Sequence, residues 1–374
     1  VRTKKTLLFA SISFLPLRRA CLFLGAFFVL LSCLFLSSCG KKNRYQDQFM
    51  DVFDTVSLVI GYEGSESGFQ KNFKAAHKRL QELHQLFDVY EDYPGVQNLK
   101  YVNENAGTAP VKVDPEIMAL LKFGKEMYNK TDGEVNIAYG AVLRIWHDYR
   151  EAGIANPENA SLPEEGALLE ASKHCNIEDL ILDEENSTVY FQDPELKLDV
   201  GGIAKGWSVE RAAELLENAG AKHYLLNIGG NLRAIGKRGD GKRWVCPVEN
   251  PFYVDGQDEE QFAVAGEIKD ISLVTSGDYE RFYVVNGKRY AHIVDPRTRM
   301  PSGRHRSVSI LTKDSGLADG LSTALFILDA EEGKKLVKKL QDEGVEVEAM
   351  WIEPDGSQLY TENFLQKISA EADS

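Results

Sequence analysis

The sequence predicts an α+β protein, with mostly antiparallel sheets and segregated helices in a composite domain of two lobes. Three observations lead there. Short apolar stretches of strand length are joined over hairpin signals, Asn286-Gly287 and Asp355-Gly356 among them. Apolar residues at helical spacing occupy separate blocks instead of following every strand, as they would in a βαβ protein. No linker composition interrupts residues 49–368, which read as one domain with a cleft between its lobes.

Residues 1–38 hold Arg2, Lys4, Lys5, Arg18 and Arg19, no acidic residue, and an apolar run over residues 20–36. The run ends in Leu36-Ser37-Ser38-Cys39-Gly40. Basic, apolar and small-residue segments in that order mark a secretory signal outside the fold. The pattern resembles the lipobox of bacterial lipoproteins, which implies that Cys39 is lipidated and becomes the first mature residue. The mature protein is then extracytoplasmic and membrane-anchored, on the periplasmic face in a Gram-negative cell. A transmembrane anchor is the other reading, but 17 apolar-leaning residues are marginal for a span and leave Cys39 without a role. Residues 39–48 read as a polar tether and residues 49–368 as the domain.

The full chain carries a net charge of −14, and the basic signal makes the remainder more acidic still. Such a surface does not seek nucleic acid. Beyond Cys39 only Cys175 and Cys246 remain, too few for a disulfide framework or a thiolate metal site; they allow one disulfide but read better as two buried free thiols.

Along the domain, residues 53–62 read as a strand and residues 69–87 as an amphipathic helix with Phe73, Ala76, Leu80, Leu83 and Phe87 on one side. Asp114-Pro115 opens a second helix through Tyr128, with proline in its first turn. Residues 150–166 read as a surface excursion before a short helix. Strands are expected at 188–191, 244–249, 264–268, 271–275, 282–285, 289–293 and 307–311, and an acidic insertion at 250–261. Helices at 316–328 and 331–342 precede a closing hairpin of residues 347–352 and 358–360.

At the centre of this order, Leu196, Leu198 and Val200 alternate with charged residues as a half-buried strand does. A turn at Gly201-Gly202 follows, then a helix closed by Gly220, a strand over 224–228 and a second turn at Gly229-Gly230-Asn231. Glycine turns of this kind suit a phosphate-bearing ligand, because backbone N–H groups and a helix N-terminus favour anions. They also serve simply as tight turns. Asp199 and Lys205 bracket the first turn with one charge of each sign. No G-x-G-x-x-G or Walker fingerprint is present.

A second constellation follows. Asp319 and Thr323 stand four apart on a predicted helix and share a face, where two hard oxygens can serve Mg²⁺. Alternatively, Thr323 back-bonds to its own helix and Asp319 merely sits near a helix start. His292 ends a predicted strand, and Asp295, before a proline, is placed to orient or charge-couple its imidazole. An unperturbed histidine titrates near neutrality, which suits it to take a proton from a hydroxyl.

The stretches DVGGIAKGWSVERAAELL, LNIGGNLRAIG, TSGDYERFY, HIVDPRT and LADGLSTALFIL, in this order, resemble the ApbE-type FAD:protein FMN transferases. FDTVSLVIGY, LHQLFDVYED and DGEVNIAYGAVLRIW agree with it, so the resemblance spans essentially the whole domain. It implies an ApbE-like fold and Mg²⁺-dependent transfer of FMN from FAD to a Ser or Thr hydroxyl of a flavin-accepting extracytoplasmic subunit, with release of AMP. An FAD pyrophosphatase would share every site residue; a lipid-anchored flavin binder without turnover is the reading of another class. The resemblance further implies that Asp319, Thr323 and the Gly202 carbonyl hold the metal, and that Asp199 and Lys205 contact FAD. It places Phe53, Tyr90, Glu134, Val135, Asn136 and Ile293 along the flavin and adenine pockets, and makes His292 the base; Asp295 is its catalytic companion on spacing alone. Arg299 stands where the family usually has glycine, which leaves the shape of the loop beside His292 open.

Overall fold

The computed structural model describes residues 42–254 and 260–369. Cys39 and the signal lie outside them, as does part of the acidic insertion. The chain starts with an antiparallel pair, β1 (Asn43–Phe49) and β2 (Ser57–Glu63). The expected tether is thus largely an edge strand. Its sequence NRYQDQF is mostly polar because only Phe49 is fully buried, and such an edge escapes a hydrophobicity reading. β2 starts at Ser57 and not at Phe53, because Phe53 and Asp54 take left-handed φ values of 54° and 50° that no strand accommodates.

Next comes α1 (Glu66–Phe87), capped by the Ser65 hydroxyl, which accepts the Gly68 N–H; Phe69, Phe73, Ala76, Leu80, Leu83 and Phe87 form its buried stripe. The sequence reading missed α2 (Leu99–Asn105), capped by Asn98. After β3 (Val111–Lys112), α3 (Pro115–Lys130) begins behind an Asp114 cap. The apolar segment beyond it is α4 (Gly140–Ala155), which takes up the start of the expected excursion, and α5 (Glu165–Ala171) follows. β4 (Leu180–Asp183) and β5 (Thr188–Phe191) pair with β3 in a small sheet.

From there the order is α6 (Ala204–Asn218), β6 (Tyr224–Ile228), β7 (Asn231–Ile235), β8 (Trp244–Glu249), β9 (Phe262–Ile268), β10 (Ser272–Gly277), β11 (Phe282–Val285), β12 (Lys288–Ala291), β13 (Val294–Asp295), β14 (Met300–Pro301) and β15 (Ser307–Thr312). The chain closes with α7 (Ser315–Ile327), α8 (Ala330–Asp342), β16 (Val347–Ile352), β17 (Gln358–Tyr360) and α9 (Phe364–Lys367).

Eight strands in the order β1-β2-β6-β7-β10-β15-β16-β17 make the main sheet, and every neighbouring pair is antiparallel. The predicted α+β class with mostly antiparallel sheets is the observed one. Side chains alternate across this sheet, so each strand serves two cores. Leu226, Val274, Ile310 and Ala349 face the helices, where α1 and α6 cover one half and α7 and α8 the other. Leu225, Leu273, Leu311 and Met350 face the β8–β9 hairpin and α9. A fourth core joins α4 to the β11–β12 hairpin through Trp146, Tyr283 and Val285. Cys175 and Cys246 are buried free thiols, pushed up by burial to about 11 and about 12.

Residues 196–200 do not form the expected strand. Their alternation of burial is real, but their hydrogen bonds go to a loop: Gly140 N–H to the Lys197 carbonyl and Asp199 N–H to the Ile137 carbonyl, at 3.0 and 2.9 Å. The Asn103 side chain takes up the Leu198 N–H and carbonyl. An extended segment satisfied this way has the period of a strand without a ladder. β12 likewise ends at Ala291, short of the expected Ile293, although the His292 N–H still donates to the in-register Arg281 carbonyl at 3.0 Å.

Arg299 adopts φ = 61°, the left-handed conformation that a glycine would supply. Its N–H donates to the Asp295 carbonyl at 2.7 Å and its carbonyl accepts the Trp146 indole N–H at 2.8 Å, so the loop keeps a glycine-like turn. A non-glycine residue there costs about 1–2 kcal/mol, offset in part by the entropy of about 0.4–1 kcal/mol that glycine adds to the unfolded chain. Arg299→Gly is therefore expected to raise Tm by roughly 1–2 °C in calorimetry. A fall would show that the arginine side chain itself holds the loop.

Candidate functional site

The two constellations read from the sequence meet where α6 and α7 cross. Gly206 permits the crossing: a Cβ there would stand 2.2 Å from the Ser315 carbonyl oxygen and 2.4 Å from Asp319 Cβ. At this contact Asp319 Oδ2 accepts the Gly206 N–H at 2.7 Å, in the first turn of α6. A carboxylate at a neighbouring helix N-terminus is favoured by the dipole, and it leaves Oδ1 as the oxygen able to meet a cation. Asp319 is only 5% exposed. Burial pushes its carboxyl above the ordinary range, opposed by Lys205 and the Gly206 N–H.

Thr323 does not back-bond to its helix. That role belongs to Ser322, whose hydroxyl donates to the Asp319 carbonyl at 2.8 Å. Thr323 faces Gly202 instead, its Oγ1 3.3 Å from where a Cβ on that glycine would stand. A side chain at residue 202 would crowd the space that Thr323 looks into. Asp319, Thr323 and the Gly202 backbone thus converge as one carboxylate and neutral oxygens. Among the described residues no three His, Cys, Asp or Glu side chains form a metal cluster. The donor set suits a hard, partly hydrated cation, so the residues present fit Mg²⁺.

Lys205 ties the two glycine turns together, its Nζ donating to the Gly229 carbonyl at 2.7 Å. In the second turn Gly229 and Gly230 have φ of 52° and 82°. The first turn is shaped by Asp199, whose Oδ1 accepts the Gly201 N–H at 2.8 Å while Oδ2 accepts the Tyr90 hydroxyl at 3.2 Å. Tyr90 stacks on His147 with centroids 4.0 Å apart, and Arg144 lies over its ring. Arg150 reaches His147 Nδ1 at 3.0 Å.

His292 is half-buried. Its Nδ1 lies 3.2 Å from the Arg281 carbonyl oxygen, which can only accept, so Nδ1 carries the proton and Nε2 keeps its lone pair. Burial, then Arg281 and Arg150, push its pKa down to about 3. The expected titration near neutrality is thereby corrected: the imidazole is neutral throughout the physiological range. The expected partnership with Asp295 is corrected too. Asp295 is buried and holds Arg297, accepting from its Nε at 3.0 Å, its Nη2 at 3.1 Å and its backbone N–H at 2.8 Å. Arg297 also reaches the Ile327 carbonyl and Glu134, fastening the loop to the end of α7.

The remaining pocket candidates divide. Phe53 belongs to a strained loop, edge-on to His84 at 5.3 Å, and its carbonyl accepts from Arg281 at 2.6 Å. Arg281 therefore holds both Phe53 and His292. Glu134 keeps Oε2 buried without a hydrogen bond, and burial raises its pKa. Asn136 is spent on the Cys175 carbonyl and the Ala138 N–H. Val135 and Ile293 are buried side chains of the core, not part of an open lining. Sequence reasoning missed Arg281, His147, Arg150 and Arg297. It also missed the side chain of Asn231, which is fully buried with neither amide atom hydrogen-bonded.

The family model described as "ApbE family" matches residues 50–349. A FAD:protein FMN transferase of Haemophilus influenzae is 32% identical over 313 residues, covering 82% of this chain and 87% of the relative. One from Treponema pallidum is 31% identical over 339 residues, covering 86% and 88%. Among solved structures, the ApbE protein of Thermotoga maritima superposes with a TM-score of 0.74 at 27% identity, covering 87% of this chain and 99% of that one. The flavin transferase ApbE of Vibrio cholerae gives 0.70 at 23% identity, over 86% and 98%, a likeness of fold.

Proposed function

The chain belongs to the ApbE family, and we propose that it transfers FMN from FAD to a Ser or Thr hydroxyl of a flavin-accepting protein subunit, releasing AMP. The observation that carries this reading is the convergence of Asp319, an unbonded Thr323 hydroxyl and the Gly202 backbone beside Lys205, with a neutral His292 in the field of the same lysine. Asp319, Thr323 and the Gly202 carbonyl would hold Mg²⁺. When bound, that cation neutralises negative charge on a pyrophosphate.

The chain's own residues account for the rest. Lys205 and Arg281 make the place attractive to phosphates; the same positive field, with Arg150, helps hold His292 uncharged. Nε2 of His292 is free to take the acceptor's hydroxyl proton. The hydroxyl oxygen then bonds to the phosphorus on the FMN side, the bridging P–O bond breaks, and AMP leaves with the electron pair. Tyr90, stacked and hydrogen-bonded to Asp199, offers an aromatic edge to the flavin or adenine ring. No redox change of the flavin is involved.

Incubation with FAD, Mg²⁺ and a carrier domain, followed by intact mass of the carrier, tests the proposal. One FMN phosphoester per carrier is expected. Free FMN and AMP with an unmodified carrier would instead indicate the pyrophosphatase reading. The lipobox-like sequence supports an extracytoplasmic, lipid-anchored location. Mass spectrometry of the membrane fraction should find a mature N-terminus at a diacylated Cys39; a start elsewhere overturns that part.

A further inference from the structure

Asn231 is the first residue of β7, directly after the second glycine turn, and it is 0% exposed. Its backbone is in register with Ile228 on one side and Val274 on the other. Its side chain is unpartnered: neither Oδ1 nor Nδ2 makes a hydrogen bond of ordinary geometry. Leaving both ends of a buried carboxamide unmade forfeits their hydration without return, so a fold carrying one calls for a reason. Turn formation does not supply it, since the turn amide of Gly230 is taken by the side chain of Asn227 at 3.1 Å. The surroundings do. Asn231 lies near enough to Asp319 to favour that carboxylate's ionised form. Gly229, two residues before it, carries the carbonyl that Lys205 grips.

We propose that Asn231 is a further positioning residue of the cation site, whose amide hydrogen directs the Asp319 carboxylate while its carbonyl oxygen accepts from a water on the bound metal. This rests on the reading of Asp319, Thr323 and Gly202 as the metal's holders. It explains why the amide makes no bond of ordinary geometry in the ligand-free fold: Asp319 is already near its N–H side, and the water for its carbonyl oxygen comes with the cation. Residues that orient a metal's ligands in this way commonly account for about 10–100-fold in metal affinity.

The test uses Mn²⁺ alone as the probe, titrated into the chain without FAD and followed by the free-ion electron paramagnetic resonance signal. Asn231→Leu, which keeps bulk and removes both polar atoms, is expected to weaken Mn²⁺ binding by about 10–100-fold. Asn231→Asp is expected to bind at least as tightly as the parent, because a second carboxylate attracts the cation. Opposite effects of two substitutions of similar size identify chemistry at the cation, since mere loss of packing would weaken both alike. Unchanged binding in Asn231→Leu, or equal weakening in both variants, overturns the proposal. If the leucine variant does not fold, the aspartate variant decides, and weaker binding than the parent counts against. Asp319→Asn is the control. Parental Mn²⁺ binding that Asp319→Asn leaves intact sinks the metal-site reading and this proposal with it. When the control loses binding, the Asn231 variants report on Asn231 alone.

Discussion

Asp319→Asn is expected to cut FMN transfer by about a hundred- to a thousandfold at saturating FAD and Mg²⁺, the usual range for losing one charge-stabilising group, and to leave the fold standing. Asparagine keeps an oxygen for the Gly206 N–H and removes only the charge. The ligand-free fold gains from that removal. Burial raises the folded pKa of Asp319 above its unfolded value, so ionised Asp319 lowers stability progressively as pH rises past the ordinary carboxylate range. A cation beside the carboxylate opposes that penalty. Thermal melts should therefore show parental Tm rising with Mg²⁺, and a variant whose metal-free Tm is no lower but no longer responds. Thr323→Val should lose less, because a neutral ligand is gone and water can replace it. An Asp319→Asn protein that transfers FMN at the parental rate with the same Mg²⁺ dependence would refute the assignment.

How far the sequence could be read depended on the reach of each interaction. The stripe of α1 and the Asp114-Pro115 start of α3 are local, and both were legible. Residues 196–200 misled because period-two burial needs a half-buried extended chain, not a ladder partner. β1 was invisible because its side chains are mostly polar and exposed, while its order comes from backbone pairing with β2. The site followed the same rule. Asp319 and Thr323 share a helix face, so four residues sufficed to relate them. Arg281 grips a carbonyl 228 positions away, and nothing beside it in the chain announces that. Asn231 looked like the end of a glycine turn; only the folded interior reveals that its amide is unpaired. Asp295 misled because three residues seemed close enough to His292, whereas Arg297, two residues on, claimed the carboxylate.

His292→Asn separates a base from a binder. Asparagine can still donate to the Arg281 carbonyl, so the loop and the FAD contacts should survive, and FAD affinity by flavin fluorescence should change little. Transfer to a carrier should fall by about a hundredfold or more, the effect of losing a general base. The pH dependence carries the finer test. With the imidazole's pKa pushed down to about 3, Nε2 is unprotonated in the free protein at every pH above about 5. kcat/KM for FAD, which reports the FAD-free protein, should consequently be flat through neutrality and show no limb at an ordinary imidazole value. The two phosphates of bound FAD oppose the field of Arg281, Arg150 and Lys205, so the limb in kcat should lie at higher pH than the one in kcat/KM. Stability should follow the same group with its own sign. A histidine whose folded pKa is depressed is protonated more readily when unfolded, so it costs the fold stability as pH falls below about 6.5. His292→Asn should flatten that acid limb in thermal melts, a change that needs no substrate. Equal losses of affinity and rate would make His292 a binding residue. The base would then have to be sought among groups other than Asp295, whose carboxylate Arg297 already occupies.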